Sequence, residues 1–61
     1  MNTKERMKEL GISQVEMILK LRERGLTVSP PEMSATLSGL LTNPKATKVL
    51  AECENIMNEN N

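Results

Sequence analysis

Apolar residues along the chain gather into four helix-sized stretches, and each stretch is bounded by residues that start or stop helices. In the first, from Thr3 to Leu10, Met7 and Leu10 stand three apart on one face, and Gly11 follows as a left-handed stop. The second opens with Ser13-Gln14-Val15-Glu16, a capping-box pattern in which a hydroxyl and a carboxylate satisfy free backbone N–H groups reciprocally. It continues to Arg24 and ends at Gly25. Val15, Met17, Ile18, Leu19 and Leu21 spread over more than one narrow stripe, so this helix carries more apolar surface than one buried face uses.

Leu26-Thr27-Val28 has no helix signal and reads as an extended connector. Ser29-Pro30-Pro31-Glu32 then forms a second capping box, with Pro favoured at the first helical position because its missing N–H would be unpaired there anyway. The helix it opens carries Met33 and Leu37 inward at spacing four, shows Ser34, Ala35 and Ser38 on the other side, and stops at Gly39. Asn43-Pro44 starts the last helix, where Ala46, Val49, Leu50, Cys53, Ile56 and Met57 make the cleanest amphipathic stripe in the chain. Residues 58–61 are polar and are expected to fray. With caps at every boundary and no alternating strand pattern, the expected class is all-α: one domain over residues 1–61, built as a compact bundle of four or five short helices.

Composition narrows the functions available. The 61 residues include no aromatic side chain, so the core must come from Met, Leu, Ile, Val and Ala, and it will be small and soft. The absence of His removes imidazole bases, His-containing zinc sites and Ser-His or Cys-His nucleophiles. Cys53 is the only thiol, so there is no intrachain disulfide and no cysteine cluster for a metal, and a buried inert thiol is the expected state. No apolar run approaches the roughly 20 residues that span a bilayer. These features point to a soluble cytoplasmic protein that is not an enzyme and needs no cofactor. Net charge is zero but unevenly placed: eight cations and five acids precede Val49, giving 8 − 5 = +3, and only Glu52, Glu54 and Glu59 follow, giving −3. That polarity could turn one end toward phosphate.

The order Ser13-Gln14, Met17-Ile18, Met33-Ser34, Leu37-Ser38-Gly39 and Asn43-Pro44-Lys45 resembles the phage repressor and Cro-like family of helix-turn-helix DNA-binding domains, over roughly Lys4 to Met57. The resemblance implies a small transcriptional regulator of phage or mobile-element type, whose second motif helix, about residues 30–39, enters the major groove of double-stranded DNA. On that basis Ser34 and Ser38 bond bases or phosphate, while Ala35 and the rings of Pro30 and Pro31 pack on thymine methyls. Gln14, with Ser13 beside it as a further DNA contact, reaches a phosphate or fixes a neighbouring side chain, and Thr42, Asn43 and Lys45 form a second phosphate clamp, with capping alone as the alternative for Asn43. Ser29 contacts the DNA or serves as a cap alone, and Glu32 either accepts from cytosine N4 or closes the capping box.

Two features depart from the family pattern. The interval from Gln14 to Met33 is 33 − 14 = 19 residues, several more than the compact motif, so the turn is enlarged. Pro30, Pro31, Glu32 and Ala35 occupy positions that usually offer Gln, Ser, Thr or Arg to base edges. Few base contacts imply that two copies act together as a homodimer. Its surface is either Cys53, Ile56 and Met57 with the surplus Val15 and Leu19, or else these residues all fill one monomer's core. The alternative function is an antirepressor or adaptor that docks on another regulator protein through the apolar surplus of the second helix.

Overall fold

The computed structural model describes residues 3–59; the expected fraying at residues 60 and 61 lies outside them. Its helices are α1 (Thr3–Leu10), α2 (Gln14–Glu23), α3 (Pro30–Ser38) and α4 (Pro44–Glu59). Local chemistry sets their starts. Ser13 Oγ accepts from Glu16 N at 3.1 Å to open α2. Ser29 and Glu32 form the full reciprocal capping box at α3. Asn43 Oδ1 accepts from Ala46 N at 2.7 Å to open α4. At α2 the hydroxyl half of the expected box is present, and Glu16 makes no return bond to Ser13.

One device ends the first three helices. The residue after each terminal glycine donates back across six residues: Ile12 N to Met7 O, Leu26 N to Leu21 O, and Leu40 N to Ala35 O, each at 2.9 Å. At α3 this requires Gly39 at φ 83°, a left-handed conformation that a side chain would strain. The device also delivers an apolar residue to the helix end. Ile12 is buried and Leu26 half-buried, whereas Leu40 remains 81% exposed.

α3 and α4 each pack on all three other helices, and α1 and α2 do not pack on one another. The core joins Met7, Ile12, Met17, Leu21, Val28, Met33, Leu37, Val49, Cys53, Ile56 and Met57, with Ile18, Leu26 and Leu50 packed against it. The connector therefore contributes to the interior through Val28 and Leu26. Burial of Cys53, Ile56 and Met57 removes them from any surface between copies, because the monomer's own core consumes them. Val15 and Leu19 are exposed at 64% and 51%. No helix of the described residues is long and apolar enough to cross a membrane.

Two expectations based on charge and polarity are corrected by tertiary contacts. The helix was expected to fray from Asn58, yet it continues through Glu59, and Arg6 reaches Asn58 while Arg24 reaches Glu59. The acidic end is also not a separate negative pole. Arg6 pairs with Glu54, and Arg24 pairs with both Glu52 and Glu59, so every acid after Val49 lies against an arginine of α1 or of the end of α2.

Thr36 adds a feature that the pattern of α3 does not show. It is 2% exposed between Met33 and Leu37, and its hydroxyl has no hydrogen-bond partner among the described residues. An unpaired buried hydroxyl costs about 1–3 kcal/mol, so Thr36→Val, which keeps the shape, is expected to stabilise the fold by about 1 kcal/mol. Urea unfolding checks this as a higher midpoint with an unchanged slope.

Burial pushes the Cys53 thiol up to about 11, with Glu54 and Glu52 adding to the effect. The unfolded thiol ionises near its ordinary 9.0. The unfolded chain then loses its proton first as pH rises, so stability should be unaffected below pH 9 and decline through the folded value. The expected loss is about 2–3 kcal/mol, measured as denaturant midpoints across this alkaline window. Cys53→Ala should lack this component.

Candidate nucleic-acid interface

The inner side of α3 is consumed by Met33, Thr36 and Leu37, which are all buried. At 100° per residue this leaves Pro31, Ser34, Ala35 and Ser38 on the opposite side. Pro31, Ser34 and Ser38 are exposed and Ala35 is half-buried, so the expected outward orientation of this face holds. No side chain on it is charged or longer than a proline ring. Pro30 is exposed at the helix start.

The hydroxyls differ in what they have left to offer. Ser38 Oγ donates toward Ser34 O and Ala35 O, at 3.0 and 3.2 Å, and so is turned back onto its own helix. Ser34 makes no side-chain hydrogen bond among the described residues and faces solvent. Ser29 Oγ accepts from Glu32 N at 3.3 Å, and Ser29 N donates to Glu32 Oε1 at 3.4 Å. Lys45 reaches the same carboxylate, with Nζ 3.1 Å from Oε2. The Lys45 hydrogen bond is the main reason the Glu32 carboxyl is held below its ordinary range, with the Ser29 N–H adding and partial burial opposing. Glu32 is therefore a cap and an ion-pair partner in this structure, with both oxygens engaged.

That pair joins the start of α3 to the start of α4. Asn43 is occupied in capping α4, Thr42 is exposed beside it, and Lys45 lies one residue inside the helix. Lys48 follows three residues later, exposed and without an ion pair among the described residues. The expected clamp of Thr42, Asn43 and Lys45 lies together at the start of α4, and Lys45 links it to the start of α3 through Glu32. Ser13 and Gln14 form a separate group at the start of α2. Ser13 is used as a cap, whereas the half-buried Gln14 makes no side-chain hydrogen bond among the described residues.

The sequence reading did not include Lys48 or Leu40 among the site residues. Lys48 had a readable signal, since i and i+3 place it on the same side of α4 as Lys45. Leu40 had none, because an apolar residue after a glycine stop ordinarily packs back on its helix, whereas Leu40 is exposed. Its exposure depends on what the tertiary packing leaves uncovered.

The arrangement can present a slender polar helix face to a groove, with Lys45, Lys48 and the α4 start available for phosphate. Comparison with protein families, characterised proteins and solved structures finds no match to the chain.

Proposed function

We propose that this protein is a small DNA-binding transcriptional regulator of the phage repressor and Cro type, with α3 entering the major groove. The observation that supports this reading is the outward, uncharged face of Pro31, Ser34, Ala35 and Ser38 on a helix whose inner side is held by three others. A helix with short side chains can bring its backbone close to base edges, and the major groove is wide enough to admit it. Ser34 is the free hydroxyl for a base or phosphate oxygen, and Pro31 and Ala35 offer apolar contact to thymine methyls.

Phosphate contacts fall to Lys45, Lys48 and the backbone at the start of α4, with Gln14 at the start of α2. Lys45 would exchange part of its bond to Glu32 for phosphate. The gap between Gln14 and Met33 is filled by the end of α2 and the connector whose Val28 is buried, so the enlarged turn is anchored to the core. A face with one free hydroxyl and no cation makes few contacts, so two copies acting on one duplex are part of this reading.

The test is titration onto duplex DNA from the region flanking its own gene, followed by mobility shift at several salt concentrations. Binding should weaken with salt, with a slope of about −0.9 for each phosphate neutralised, and Lys48→Ala should reduce the magnitude of that slope by about one. Ser34→Glu should abolish binding and leave the far-UV helix signal intact, because the position faces solvent. Absent or salt-independent binding overturns the proposal.

A further inference from the structure

We infer that the outer face of α2 joins two copies of the chain side by side. Val15 and Leu19 lie one turn apart on this face, and with Arg22 they form a stripe at i, i+4 and i+7. Glu16 and Glu23 run along one edge of the stripe, while Arg22 lies toward the other. All three are exposed and carry no ion pair among the described residues. By contrast, Arg6, Arg24 and Lys45 are each engaged by an acid of the same chain. The other exposed large apolar side chains, Leu10 and Leu40, belong to different segments and form no such stripe.

The charge arrangement selects the occupant. A stripe with a cation toward one edge and acids on the other is self-complementary under a two-fold axis parallel to the helix, because that rotation lays each edge on the opposite edge of the second copy. Val15 and Leu19 then meet their own counterparts, and Arg22 of each copy faces the partner's Glu23. An antiparallel pairing would set acids against acids. The interface is small: a ten-residue helix is about 15 Å long and cannot supply the roughly 800 Å² per partner of a standard complex. Association is therefore weak in free solution, and two adjacent half-sites would favour it by raising the effective concentration. The inference deepens the DNA reading by naming the surface of the second copy, and it is measured without DNA, so either can fail alone.

Sedimentation equilibrium of the full chain, without DNA, from about 10 µM to about 1 mM provides the test. The average mass should climb from 6.8 kDa toward the dimer value in the upper part of the range. Leu19→Lys should remain monomeric throughout. Arg22→Glu should weaken association by about five- to tenfold, and adding Glu23→Arg to the same chain should restore it to within about threefold of the original. Because all three positions are exposed, far-UV circular dichroism should confirm that each variant folds. A wild-type chain that stays monomeric, association that survives Leu19→Lys, or a charge swap that fails to restore it overturns the inference.

Discussion

The constraint that governs this molecule is the need to close a core without any aromatic ring. Four methionines, Met7, Met17, Met33 and Met57, reach the interior from four different helices, and their unbranched side chains fill the space that rings would otherwise take. The apolar stripe of α4 meets them from one side through Val49, Cys53 and Ile56. Closing this core draws in α3 so completely that it packs on every other helix. Its remaining side is left facing outward with short side chains. The candidate interface is thus a consequence of how the core is filled.

Electrostatics reinforces the same closure. Arg6 and Arg24 reach from α1 and the end of α2 to acids along the second half of α4, fastening to α4 the two helices that do not pack on each other. Such partly exposed pairs individually contribute little stability. Their larger effect is on the distribution of charge, because the acids that would form a negative pole are matched within the chain. The cations left without an ion pair among the described residues are Lys4, Lys8, Lys20, Arg22 and Lys48, a sparse set that limits how much phosphate the surface can neutralise.

Much of the candidate site was legible from sequence for a local reason. Ser29, Glu32 and Asn43 sit three residues from the groups they cap, and Met33 with Leu37 identifies the inner side of α3, which places Ser34, Ala35 and Ser38 outside. The electrostatic link between Glu32 and Lys45 was not legible, because it spans a loop and depends on how α3 and α4 meet. Neither was the different availability of Ser34 and Ser38. Both belong to one outward face, and only the side-chain geometry shows Ser38 turned back toward the backbone.

The chain's own pattern of caps, glycines and apolar spacing determined the class, the four helices and the buried stripe of α4, since these follow from interactions within a turn or two. Tertiary structure alone decided which apolar residues of α2 stay outside, that Cys53, Ile56 and Met57 belong to one monomer's core, and that Thr36 is sealed with an unpaired hydroxyl. It also decided that Asn58 and Glu59 remain helical, through arginines 52 and 35 residues away along the chain. Contacts over such separations depend on the relative placement of whole helices, which short-range periodicity does not encode.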